Sequence, residues 1–189
     1  SRGEAVIINK NNTKGIQLRG YERKDFQKLK FVKDDNFVGN IFLNSKHISI
    51  GKELSYELNL NIGDKIVIMS PTGIDTIIGK LPRQEAYIVD SIFESGLVDF
   101  DLNVAFININ DLNNFFDLNT DNNKLEIFLI NPIDINNAKL EISKIFKNDF
   151  IYTWSDLNKS LFSALKVERN VMFIILTLII IVAAFNIIS

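Results

Sequence analysis

Short apolar runs bounded by polar or turn-forming residues predict that most of the chain is rich in β-strands. Alternation of apolar and polar residues places every second side chain on one face of a sheet, and most of the runs are too short for helices. Two short helices are predicted at Lys52–Leu60, which carries leucines four positions apart, and at Asp111–Phe116. The predicted strands are Ala5–Ile8, Gly15–Arg19, His47–Ile50, Lys65–Met69, Tyr87–Phe93 and Val104–Ile107.

A second unit is predicted after the linker Asp117–Asn123, which is rich in Asn and Asp. The pattern there indicates a strand at Lys124–Ile130, an amphipathic helix at Ile135–Phe146 and a strand at Phe150–Thr153. This order forms a βαβ unit, whose connection is expected to be right-handed. We therefore place a boundary near Asp121.

The C-terminal part carries the strongest hydrophobic signal. From Val171 to Phe185 the sequence is VMFIILTLIIIVAAF, without a charge, and two isoleucines follow Asn186. A helix needs about 20 mostly apolar residues to cross a bilayer, so we expect the start of a transmembrane helix, cut where the sequence ends. The alternative is a helix buried in a water-soluble core, although such a helix seldom lacks a charged position along a run of this length.

The residues just before this run also have helical spacing, but their apolar residues lie on one side of the helix only. Ser155 or Asp156 is a plausible N-cap. Three leucines and one alanine follow on one side, Leu157, Leu161, Ala164 and Leu165, with Lys159, Ser163 and Lys166 on the other. This pattern fits an amphipathic stretch along a membrane surface and fits equally well a helix packed on the domain. Large domains are exported regardless of flanking charges, so Lys166 and Arg169 do not determine the orientation.

The predicted fold class is therefore α+β, leading into a transmembrane helix. The predicted parts are a β-rich subdomain at 1–120, a βαβ subdomain at 121–154, an amphipathic connecting helix at 155–170 and the start of the transmembrane helix at 171–189.

Composition excludes several classes of function. The 189 residues include 21 basic and 23 acidic residues and no dense basic block, so nucleic-acid binding is not expected. The absence of cysteine excludes a disulfide framework and thiolate metal sites.

Candidate catalytic and metal-binding motifs fail on their spacing. Gly73–Lys80 resembles a phosphate-binding loop, but it has five residues between its glycines and lacks the hydroxyl residue after the lysine. Asp99, Asp101 and Asn103 imitate the opening of a calcium loop without its glycine and its bidentate glutamate, which favours a turn with solvated carboxylates. His47 is the only histidine, and a strand-edge or surface position is expected for it. We conclude that the chain is not catalytic and needs no cofactor of its own.

A segment with apolar residues at its centre connects the fourth and fifth predicted strands. Ser70–Gln84 is too long for a tight hairpin, and Ile77, Ile78 and Leu81 lie in its middle. In a projecting loop, exposure of these apolar side chains to water would cost free energy unless a partner covered them. A loop packed against its own domain is the alternative.

Several stretches of this chain, in this order and spacing, resemble the permease subunits of the lipoprotein-releasing Lol transporters, LolC and LolE. These permeases belong to a wider class of ABC permeases with the MacB exporters and the FtsX division proteins. The stretches are Ile50–Leu54, Gly63–Lys65, Ile92–Gly96, Trp154–Asn158, Leu161–Lys166, Val171–Leu176 and Val182–Ser189.

The resemblance implies a MacB-like periplasmic domain, inserted between the first and second transmembrane helices of a bacterial inner-membrane permease. It implies the partners of that class: a cytoplasmic ATPase that binds the ATP, a second permease subunit that is identical or paralogous, lipoprotein substrates and a periplasmic lipoprotein chaperone. The domain would act as a lever and a docking surface.

The same resemblance implies two sets of functional residues. The loop from Thr72 to Arg83 corresponds to a hook that grips the chaperone, and the proline of that hook has its counterpart near Ile78 or at Pro82. The implied hook residues are Thr76, Ile77, Ile78, Gly79, Lys80, Leu81, Pro82 and Arg83. Val171, Met172 and Ile175 would contact the acyl chains of the lipoprotein.

Two other functions remain open from the sequence. A mechanical relay of the FtsX kind would activate a periplasmic cell-wall hydrolase. A water-soluble binding module would bury the apolar helix.

Overall fold

The computed structural model describes residues 1–10, 12–76, 79–118, 125–131 and 134–188, with side chains except at 71–72, 74–76, 79–80 and 187–188. Contacts divide the chain into two compact units, Ser1–Leu125 and Glu126–Ser189. The fold is mixed α+β with a C-terminal apolar helix, as predicted at that level.

The first unit contains seven strands among its described residues, and all six predicted for this part of the chain are confirmed. Arg23–Phe26 (α1) and a 3₁₀ turn at Lys30–Val32 follow the second strand, and three further helices are Lys52–Leu58 (α2), Val98–Asn103 (α3) and Ile109–Phe116 (α4). The strands are β1 (Arg2–Asn9), β2 (Asn12–Tyr21), β3 (Val38–Gly39), β4 (His47–Gly51), β5 (Lys65–Thr76), β6 (Gly79–Phe93) and β7 (Val104–Asn108).

Six of these strands pair into a closed ring. β1 runs antiparallel to β2 and β5, β2 runs parallel to β7, and β7 runs antiparallel to β4. β4 then runs parallel to β6, and β6 closes the ring by pairing antiparallel with β5. The short β3 pairs with β6 beside the ring. Closure matters because an unpaired sheet edge exposes a row of backbone hydrogen-bonding groups.

The strand β7 is buried on both faces, which explains its unbroken apolar sequence. Ala105 and Ile107 belong to a core cluster of aliphatic residues that also includes Ile7 and Leu18. Phe106 belongs to a second cluster, rich in phenylalanine. In the second cluster the ring of Phe106 lies 5.2 Å from that of Phe93 and 5.5 Å from that of Phe26, centroid to centroid, at angles that favour aromatic pairs.

The second unit contains three helices among its described residues: α5 (Ile135–Ile145), α6 (Trp154–Leu157) and α7 (Lys159–Ile188). The predicted helix Ile135–Phe146 is confirmed, whereas both strands of the predicted βαβ unit are wrong: the described residues 125–130 and 150–153 form no strand. The apolar side chains of these segments are exposed, Phe128 by 73% and Phe150 by 89%. Alternating apolar residues make a strand only where a neighbouring strand supplies hydrogen bonds, and the described part of this unit has none.

The helix α6 begins with a capping box at Thr153, rather than at the predicted caps Ser155 or Asp156. The Thr153 hydroxyl accepts a hydrogen bond from the backbone N–H of Asp156, whose carboxylate accepts the backbone N–H of Thr153. Lys139 also donates to this carboxylate over 2.8 Å, and these hydrogen bonds hold the pKa of Asp156 well below its ordinary value.

The helix α7 is continuous for 30 residues and passes without a break through the predicted boundary between residues 170 and 171. Its part Lys159–Asn186 is long and apolar enough to cross a membrane, with a mean hydropathy of 2.2 in its most apolar window. No described residue buries any of that window, which counts against the alternative of a helix buried in a water-soluble core. The four-part division of the chain at residues 120, 154 and 170 stays a prediction.

We expect Gly51→Ala to destabilise the first unit, because a Cβ at Gly51 would lie 2.0 Å from the backbone oxygen of Asp101 in α3. Overpacking against backbone lowers the free energy of unfolding by about 2–3 kcal/mol. The matched control is Gly15→Ala on β2, where a Cβ would meet no atom within 4 Å and the change stays within about 0.5 kcal/mol. Urea unfolding followed by circular dichroism compares them, and equal stability of the two variants would contradict the packing of α3 on β4.

Candidate functional site

The strands β5 and β6 continue past their pairing with the rest of the ring as a two-stranded ribbon, here defined as Ser70–Thr76 and Gly79–Arg83. β1 pairs with β5 only along Val67–Met69, and β4 pairs with β6 only from Ile88 onward. Within the described chain, the ribbon strands therefore pair only with each other. The predicted loop Ser70–Gln84 is wrong in its conformation, because β5 and β6 continue through its described residues. At about 3.3 Å per residue, the ribbon extends β5 by roughly 20 Å.

A bulge interrupts the ribbon at its proline. Ser70 pairs with Arg83 and Ile74 pairs with Leu81, so three residues of β5 lie opposite Pro82 alone. Proline has no N–H to donate, which breaks the ladder of hydrogen bonds at this position. Gly73 has a φ of +48° within the bulge, a left-handed conformation that glycine adopts without strain. The bulge bends the ribbon and changes its twist.

A cluster of charged and phenolic groups ties the base of the ribbon to the ring. The carboxylate of Glu85 accepts hydrogen bonds from the ammonium of Lys46, from Arg83 Nε over 3.2 Å and from the Tyr87 hydroxyl over 3.2 Å. Burial disfavours ionisation of Glu85, but Lys46 and Arg83 outweigh it and hold the pKa of Glu85 below its ordinary value. Burial also raises the pKa of Tyr87, which keeps its hydroxyl protonated as a donor. A two-stranded ribbon is marginally stable by itself, so this cluster supports it.

The described hook residues predicted from the resemblance all lie on this ribbon. Thr76 pairs with Gly79, and Ile77 and Ile78 lie outside the described residues. Leu81 is 52% exposed and Pro82 is exposed beside it, whereas Arg83 is held by Glu85. Sequence reasoning missed the base cluster, although Arg83, Glu85 and Tyr87 alternate along β6 in the pattern of one strand face.

The predicted acyl-chain residues share one face of α7. Val171, Met172 and Ile175 lie within an arc of about 100° and are 45–52% exposed. Toward the C-terminus the same face continues as a shallow groove lined by Leu178, Ile179, Val182, Ala183 and Asn186. The hydroxyl of Thr177 donates to the backbone oxygen of Phe173 over 2.8 Å, so this polar group is satisfied within the helix.

Asp101 and His47, which the sequence offered as candidates for metal binding or catalysis, lie in regular secondary structure. The expected turn is a helix, α3, in which Asp99 is exposed as expected. Asp101 is buried instead, and its carboxylate accepts the backbone N–H of Ser95 over 3.0 Å. His47 begins β4, and its Nδ1 lies 2.9 Å from the backbone oxygen of Ser45. Across the described chain, no group of three or more His, Cys, Asp or Glu side chains could hold a metal ion.

Comparisons with known proteins find several curated relatives named LolC. No family model matches the chain. The chain is 28% identical to the lipoprotein-releasing system transmembrane protein LolC of Neisseria meningitidis over 98% of its length and 46% of that protein. The LolC protein of Buchnera aphidicola is 26% identical over the same shares, and that of Haemophilus influenzae is 30% identical over 74% of the chain and 35% of the relative.

The chain spans about half the length of the curated relatives that it matches. The matches cover both the ring with its ribbon and the apolar helix. The resemblance noted in the sequence is confirmed, and the chain is a homologue of the LolC transmembrane proteins of lipoprotein-releasing systems.

Proposed function

We propose that this chain is part of the permease subunit of an ABC transporter that extracts lipoproteins from the bacterial inner membrane. The permease passes them to a periplasmic chaperone, and the first unit lies in the periplasm as a lever and docking surface. The observation that carries this proposal is the similarity to LolC over 98% of the chain. The subunit is not catalytic: a separate cytoplasmic ATPase binds and hydrolyses ATP, and a second permease subunit completes the membrane part.

The ribbon supports the docking role. It extends from a closed ring, is anchored at its base by Glu85, and presents the exposed side chains of Leu81 and Pro82. Exposed apolar groups on a preorganised backbone suit the capture of a partner, because little ordering entropy is lost on binding. The chaperone is therefore proposed to bind the ribbon between Thr76 and Arg83.

The helix α7 supports the roles of lever and substrate wall. Its 30 residues form one hydrogen-bonded rod of about 45 Å, which can transmit a displacement without exposing irregular backbone to lipid. The face of Val171, Met172 and Ile175 offers only apolar groups, as acyl chains require. The curated relatives do not favour the alternative, a relay that activates a cell-wall hydrolase.

We expect Leu81→Asp to weaken chaperone binding at least about tenfold, because it places a charge where an apolar contact is buried on docking. The matched control is Leu97→Asp, which changes a 65% exposed leucine of the same unit outside the ribbon. The measurement is the dissociation constant for a purified periplasmic lipoprotein chaperone. Unchanged binding by Leu81→Asp, or equal loss in both variants, would remove the docking role.

We expect Met172→Gln to reduce lipoprotein release at least about tenfold while the transporter still assembles, because the amide would meet acyl chains without a hydrogen-bonding partner. Phe173→Gln is the control, since it introduces the same group at the same depth but away from the face of Val171 and Ile175. Release from reconstituted vesicles is measured with each variant in the complete transporter. Normal release by Met172→Gln would refute the contact with acyl chains.

A further inference from the structure

Two cations of α7 belong to one stripe along the helix. Phe162, Leu165, Lys166 and Arg169 follow the helical spacing of three and four residues and line one shallow groove. Leu165 is 49% exposed and Phe162 is 37% exposed, so the groove is open to its surroundings. Trp154 lies against Phe162 at 5.1 Å between ring centroids.

The two cations of this stripe have no anionic partner within the described chain. Neither Lys166 nor Arg169 forms an ion pair with a described residue, whereas Lys139 in the same unit is paired with Asp156 over 2.8 Å. Glu168, the nearest carboxylate in sequence, lies on another side of the helix at 100° per residue. The stripe therefore presents two adjacent positive charges that the described protein leaves uncompensated.

The position of the cations along α7 sets their depth in a bilayer. The uncharged run begins at Val171, so the Cα of Arg169 lies about 3 Å and that of Lys166 about 7.5 Å outside the hydrocarbon. The polar headgroup layer on each side of a bilayer is about 5–7 Å thick. Both flexible side chains thus reach the level of the lipid phosphates.

We propose that Lys166 and Arg169 bind the headgroup phosphate of an anionic phospholipid. This inference rests on the membrane-spanning role of α7 and goes beyond the transport proposal. An arginine and a lysine one turn apart can both donate to one phosphate, and arginine can do so through two N–H groups. An exposed cation pair holds a free phosphate only weakly in water, whereas the bilayer surface supplies such groups at high local concentration.

The test counts the lipids bound to the 189-residue chain by native mass spectrometry, after release from nanodiscs that contain equal amounts of phosphatidylglycerol and phosphatidylcholine. Each cation near an anionic surface contributes a factor of about five in lipid preference. With two such cations we expect phosphatidylglycerol to be enriched up to about 25-fold, Lys166→Gln to lower the enrichment about fivefold, and Lys166→Arg to retain it. Added inorganic phosphate should leave the enrichment unchanged, because a free anion lacks the bilayer anchor.

Lys159→Gln is the matched control. It removes the same charge from the same helix about 18 Å outside the hydrocarbon, beyond the headgroups, and should retain the enrichment. Equal binding of the two lipids by the unaltered chain, or equal losses in Lys159→Gln and Lys166→Gln, would overturn the site. Failure of chaperone capture or of lipoprotein release would refute the transport proposal alone, since neither enters this count.

Discussion

The apolar side chains of α7 that no described residue covers set the main constraint on this structure, because they require an apolar environment. The twelve large apolar side chains between Val171 and Phe185 are all exposed on α7. Burying one such side chain gains roughly 1.5–3 kcal/mol, so twelve of them outweigh the ~5–15 kcal/mol by which a folded domain is stable. The helix satisfies its own backbone hydrogen bonds and lacks only an apolar solvent, which hydrocarbon provides. The first unit is thereby attached to a membrane through the same chain.

The strands of the first unit satisfy their backbone hydrogen bonds by pairing with one another. Six strands close into a ring. The residues of β5 after Met69 and those of β6 before Gln84 pair with no other described strand, so they pair only with each other. These residues form the ribbon. Glu85 stabilises the base of the ribbon through Lys46, Arg83 and Tyr87, and Pro82 sets its bend. The first unit thus carries a ribbon supported at its base, and the second unit carries a continuous helix.

Local pattern predicted the strands of the ring because alternation is a property of consecutive residues. It missed β3, whose two residues Val38–Gly39 pair with β6. It also predicted strands at Lys124–Ile130 and Phe150–Thr153, whereas the described residues 125–130 and 150–153 form no strand. The ribbon was predicted to be a loop because it contains Pro71, Gly73 and Pro82, residue types that usually mark turns. The contact of Lys46 with Glu85 could not be predicted, because the two residues lie 39 positions apart in sequence. The apolar character of α7 was predictable, because a run of consecutive residues determines it, whereas only the resemblance singled out Val171, Met172 and Ile175.

The absence of cysteine from the chain allows spin labels to be placed at single introduced cysteines along α7 in lipid bilayers. The relative accessibility of each label to oxygen, which concentrates in hydrocarbon, and to a water-soluble nickel complex reports its surroundings. If lipid surrounds the helix, oxygen accessibility will exceed nickel accessibility from Val171 to Phe185 on every face, and the order will reverse at Lys159. Low accessibility to both reagents along the apolar run would show that protein encloses this segment, and the membrane attachment of the first unit would be refuted.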